Sequence, residues 1–195
     1  MSGITLSASQ TVGPFFHDGL LRADARRTQL VTPETAGERI RIAGHVCDGD
    51  GLGVPNAMLE IWQANHYGRY NHPSDQRDLP LDPAFYGFGR GATDAAGGYF
   101  FETIKPGRVP YKDGRLMAPH ITVWIVARGI NIGLHTRLYF GDEAAANAEC
   151  PVLARIEHKV RLATLIAARG EENGMPTYTF DIHLQGDKET VFFDI

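Results

Sequence analysis

Short runs of β-branched and aromatic residues, each cut off by glycine or proline, constrain this chain most. Strand side chains alternate between faces, so a run with every second residue apolar turns one face to a core. Residues 38–46 do this with Ile40, Ile42 and Val46, and residues 177–185 with Tyr178, Phe180, Ile182 and Leu184. Further strands are predicted at 57–62, 99–104, 119–127, 135–140 and 162–167. The breaks between them are turn sequences: Asp48-Gly49-Asp50-Gly51-Leu52-Gly53, Asp94-Ala95-Ala96-Gly97-Gly98 and Lys105-Pro106-Gly107. The first of these predicts a hairpin joining 38–46 to 57–62. Only 142–149, rich in alanine and ending before Cys150-Pro151, reads as a helix. The fold class expected is all-β, a β-sandwich with long loops and one short helix.

With 195 residues, 43% of them hydrophobic and 22% charged, the chain suits a single domain with a sizeable core. We divide it into an N-terminal arm, 1–37, expected to dock on a partner subunit, and a sandwich domain, 38–195. Within the arm, Gly13-Pro14 interrupts an apolar stretch ending in Phe15-Phe16. A formal charge of -4, with no basic cluster longer than Arg26-Arg27, gives no support to a nucleic acid or an anionic membrane as partner. No signal sequence or spanning helix is visible, so a cytoplasmic location is expected. Cys47 and Cys150 stand far apart and outside any metal-binding spacing, and are expected to be buried thiols.

The loop 64–90 carries glycine and proline at frequent intervals, yet is dense in Tyr, His and Asn. Long loops on rigid sheets commonly bear function. In the strand Ala118-Pro119-His120-Ile121-Thr122-Val123-Trp124-Ile125-Val126, alternation places His120 and Thr122 on one face. A His-x-His pair there would offer a metal two imidazoles, whereas His-x-Thr offers one imidazole and a poorly ligating hydroxyl. His120 also reads as a satisfied core histidine, and Tyr70 as an ordinary packing aromatic. Arg128 follows the strand and precedes Gly129, which puts it on a loop at the strand end. Nucleophile elbows, P-loops and dinucleotide fingerprints are missing.

The motifs Ser9-Gln10-Thr11-Val12-Gly13-Pro14-Phe15, Glu60-Ile61-Trp62-Gln63-Ala64-Asn65, Gly68-Arg69-Tyr70, Phe88-Gly89-Arg90, Thr103-Ile104-Lys105-Pro106-Gly107 and Ala118-Pro119-His120-Ile121 occur in an order that resembles the intradiol ring-cleaving dioxygenases. The similarity runs through the whole chain, and Ala127-Arg128-Gly129-Ile130-Asn131-Ile132 resembles the alpha-type chains of that family. The resemblance implies the prealbumin-like sandwich of the intradiol type and cleavage of protocatechuate by O2 to 3-carboxy-cis,cis-muconate. It implies Fe(III) as cofactor, held in catalytic chains by two tyrosines and two histidines. Carried over, these four positions fall on Tyr70, Val109, His120 and Thr122, a vestigial metal site with two ligands gone.

The same resemblance implies that iron sits in a beta-type partner subunit, within a large alpha-beta oligomer, and that this chain alone has no catalytic residue. It further implies that Thr11, Gly13, Pro14 and Arg128 help form the pocket for the small aromatic substrate. A guanidinium suits the carboxylate that separates protocatechuate from catechol. Two alternatives stand beside this reading. One is a self-sufficient dioxygenase using Tyr70, Tyr111 and His120; the other is a non-catalytic sandwich acting as a binding module.

Overall fold

A computed structural model describes residues 7, 8, 10, 13 and 16–194. Among the described residues, nine strands follow one another as β1 (Arg39–Cys47), β2 (Met58–Trp62), β3 (Phe88–Ala92), β4 (Gly98–Ile104), β5 (His120–Val126), β6 (Leu134–Phe140), β7 (Ile166–Glu172), β8 (Met175–Thr179) and β9 (Ile182–His183). One α-helix, α1 (Ala144–Glu149), lies between β6 and β7. The strands run in the order β3-β2-β5-β6-β7-β8-β1-β4, with β9 on β1. Most pairs are antiparallel; β1–β8, β1–β9 and β6–β7 are parallel.

The result is a nearly closed sheet. At one margin only two residue pairs, Tyr139 with Ile166 and Phe140 with Ala167, join β6 to β7. At the other, residues 27–30 bridge the outermost strands: Arg27 pairs with Arg90 of β3, and Leu30 donates its N–H to Glu102 of β4. Leu30 is buried in the main core with Ile42, Ile61, Phe101, Ile121, Val123, Ile125 and Leu138. The second half of the segment read as an arm therefore completes its own sheet. The odd residues of β5 face this core, which turns His120, Thr122 and Trp124 to the opposite side.

Several expectations need correction. The strands at 39–47 and 58–62 form no hairpin, because β1 already has β4 on one edge and β8 on the other. Cys47 still bridges to Gly53, and Val54 donates to Val46. The chain then leaves at Asn56, whose φ of 60° redirects it to β5 and β3. Residues 88–92, assigned in part to the long loop, form β3 despite two glycines. A Cβ on Gly89 would lie 2.9 Å from side chains of Ile61 and Leu30, so the bare backbone is what lets residues 27–30 pack there. The strand expected at 162–167 is mostly the 3-10 turn Lys159–Leu165. The helix at 142–149 begins only at Ala144, since Asp142 is engaged with Lys105 and the Tyr178 hydroxyl, at 2.8 and 2.9 Å. Cys150 is buried, Cys47 only half-buried, and both are free thiols. Among the described residues, no helix is long and apolar enough to cross a membrane.

Candidate functional site

Asn65 organises the loop that follows β2. Its side-chain oxygen accepts the N–H groups of Tyr67 and Arg69 at 3.0 Å each, and its amide donates to Pro80 at 2.9 Å. Its carbonyl accepts the N–H of Gly68 and of Gly107, both at 2.9 Å, which seats the loop on the Lys-Pro-Gly turn. Gly68 has φ +83°, and a Cβ there would stand 2.2 Å from the Arg108 carbonyl oxygen. This backbone-on-backbone contact sets Tyr70 and Val109 opposite each other above β5.

Asp75 holds the next turn, accepting from the Tyr70 N–H at 2.8 Å and pairing with Arg77 at 2.6 Å. The hydrogen-bonded Arg77 guanidinium pulls the Asp75 carboxyl down to about 2. The Tyr70 ring stacks on Trp62, with centroids 5.8 Å apart and planes 9° from parallel. Burial raises the Tyr70 phenol above its ordinary range, and the charges of Arg137 and Arg77 counter this in part.

All four vestigial positions, Tyr70, Val109, His120 and Thr122, line one open cavity of about 440 Å³. His120 is buried, and its Nδ1 lies 2.8 Å from the Ala118 carbonyl oxygen. A carbonyl only accepts, so Nδ1 carries the proton and Nε2 is left with its lone pair. Burial, with Arg137 adding to it, depresses the imidazole to about 4. Val109 fills its position with apolar bulk, and Thr122 presents a neutral hydroxyl.

Arg137, which sequence reasoning missed, stands in β6 directly across from Thr122 and lines the same cavity. The signal was a charged residue in the otherwise apolar run Leu138-Tyr139-Phe140, on the strand beside His120. Its charge acts on Tyr70, His120 and Tyr139 alike. A ferric ion needs anionic donors, and a guanidinium on the same cavity would oppose it electrostatically. One phenol, one imidazole and a fixed cation do not fit that ion. Tyr111 offers no substitute: it lines a neighbouring cavity of about 570 Å³, and its hydroxyl accepts from Arg155 at 3.0 Å. Thr122 and Arg137 line both chambers.

Arg128 is elsewhere. It is exposed on a turn just past Val126, the far end of β5, and the strand itself puts about 20 Å between His120 and Val126. Near that end, Phe16 and Leu21 pack on Met58 and Val126, with Trp124 against them. Phe16 donates its N–H to the Gly13 carbonyl at 3.1 Å, so Gly13 is tied to the same end as Arg128. Thr11 and Pro14 lie outside the described residues.

The Dioxygenase family model matches residues 11–186. The chain belongs to the intradiol dioxygenase family. Within that family it is 49% identical to the protocatechuate 3,4-dioxygenase alpha chain of Pseudomonas putida, over 95% of this chain and 94% of the relative. It is 36% identical to the protocatechuate 3,4-dioxygenase beta chain of Burkholderia cepacia, over 93% of this chain and 77% of that one. Among solved structures, the dioxygenase domain of a dioxygenase and carbohydrate-binding protein fusion from Streptomyces sp. SirexAA-E is similar, with a TM-score of 0.61 at 25% identity. That likeness covers 93% of this chain and 99% of the other. The overall fold is thus shared with a dioxygenase domain well removed in sequence.

Proposed function

We propose that this chain is the alpha-type subunit of a protocatechuate 3,4-dioxygenase and that its beta-type partner holds the ferric iron. The observation that carries this reading is the cavity at Tyr70 and His120, where Val109 and Thr122 replace donors and Arg137 brings a positive charge. Identity to both an alpha chain and a beta chain supports a partnership of two related sandwiches, one with a working centre and one without. In the reaction, both atoms of O2 enter protocatechuate as the ring opens between its hydroxyl-bearing carbons, giving 3-carboxy-cis,cis-muconate. The iron supplies oxygen and catechol chemistry from the partner's side.

This chain's contribution is at the opposite end of β5. Thr11, Gly13 and Pro14 wall the substrate pocket, and Arg128 holds or steers the substrate carboxylate. Gly-Pro suits a wall, since it brings backbone close to a ligand in a fixed shape. The fold is read as the family's prealbumin-like sandwich, with the N-terminal arm, 1–37, docking on the partner and Phe16 packed on Met58 and Val126. The free thiols suit a cytoplasmic setting.

Arg128→Ala in the assembled enzyme tests the role of the turn. KM for protocatechuate should rise about tenfold, equivalent to about 1.4 kcal/mol, with little change for catechols that lack a carboxylate. Equal effects on both substrates would remove carboxylate recognition from Arg128.

A further inference from the structure

Arg137 is a half-buried guanidinium with no carboxylate at ion-pair distance among the described residues. Its neutral partners are the weakly accepting Met117 Sδ at 3.3 Å and the Tyr139 hydroxyl, and its Cζ stands 5.8 Å from the centre of the Phe193 ring. A charge taken out of water without an anion is costly, and planar guanidinium is well matched to a carboxylate. The other cation on the cavity, Arg77, is already neutralised by Asp75 at 2.6 Å. One net positive charge therefore faces the cavity, with the Thr122 hydroxyl across the strand pair from it. The remaining wall joins apolar and aromatic groups, Val109, Met117 and the stacked Trp62–Tyr70 pair, to the uncharged polar side chains of Ser74, Gln76 and His120.

We propose that this cavity is a binding site for a single-ring aromatic monocarboxylate, anchored by Arg137 and Thr122 and flanked by Trp62, Tyr70, Val109 and Met117. A volume of about 440 Å³ lies within the range of small-molecule sites. A single unpaired cation selects a monoanion; a doubly charged phosphate would keep one charge unmatched and would face the Asp75 carboxylate. The Tyr70 phenol on the same wall adds a hydroxyl donor. The proposal stands whether or not an iron-bearing partner exists, because every group in it belongs to this chain.

The test is NMR titration of the full chain, following the Trp62 indole and the Met117 methyl, with the Trp124 indole as a reference outside the cavity. Benzoate should shift Trp62 and Met117 saturably and leave Trp124 unmoved, while benzamide and inorganic phosphate should do neither. Arg137→Gln should weaken benzoate binding at least tenfold or so. No saturable shift with benzoate, an equal response to benzamide or phosphate, or unchanged affinity in Arg137→Gln would each overturn the proposal. The three-ligand comparison on the unsubstituted chain decides the question even if Arg137→Gln fails to fold.

Discussion

His120 is kept neutral by its surroundings, and that makes it a source of pH-dependent stability. Its folded pKa of about 4 lies below the ordinary histidine value near 6.5. The unfolded chain thus binds a proton between those pH values that the folded chain refuses, so stability rises with pH across the window. The contribution is fully present above about 6.5 and lost as pH falls to about 4, a total on the order of 3 kcal/mol. Replacing His120 with Gln should flatten this part of the curve in urea unfolding measured from pH 7 to 4. An unchanged slope would show that His120 titrates normally. The same neutrality leaves Nε2 basic only weakly, beside Arg137, so this imidazole is poorly placed to draw in a cation.

At the scale of elements, the loop 64–87 is held against residues 105–108 by backbone contacts that tolerate no side chain. Gly68→Ala would put a Cβ 2.2 Å from the Arg108 oxygen at a φ of +83°. A loss of about 2 kcal/mol or more is expected, seen as a lowered Tm, with displacement of Tyr70 from Trp62. A Tm equal to that of the parent chain would mean that the loop has room to shift. The two strands β5 and β6, the loop and the grouping of Tyr70, Val109, His120 and Thr122 on one cavity were legible from periodicity and resemblance, because those features are local or positional. What escaped was pairing. The turn at 48–53 is a good hairpin signal, yet both edges of β1 are taken by strands distant in sequence. β3 was hidden by glycines that exist to admit residues 27–30, a long-range requirement with no local mark. Arg137 was overlooked because its role depends on which strand lies beside His120, and register across β5 and β6 is not written in either strand alone.

For the molecule as a whole, β5 separates two regions with different fates. At its start lies the cavity of Tyr70, His120 and Arg137; past its end lie Arg128 and the chain entering at Gly13 and Phe16. On the proposed reading, the centre lies in a partner and this chain's value to catalysis rests on what its far end offers that partner. The most direct test is iron stoichiometry and protocatechuate-dependent O2 uptake, measured on this chain purified alone and again after mixing with an iron-bearing beta-type chain. The account predicts no stoichiometric iron and no turnover alone, with turnover in the mixture that falls when Arg128 is removed. One tightly bound iron per chain together with O2 uptake by this chain alone would contradict it.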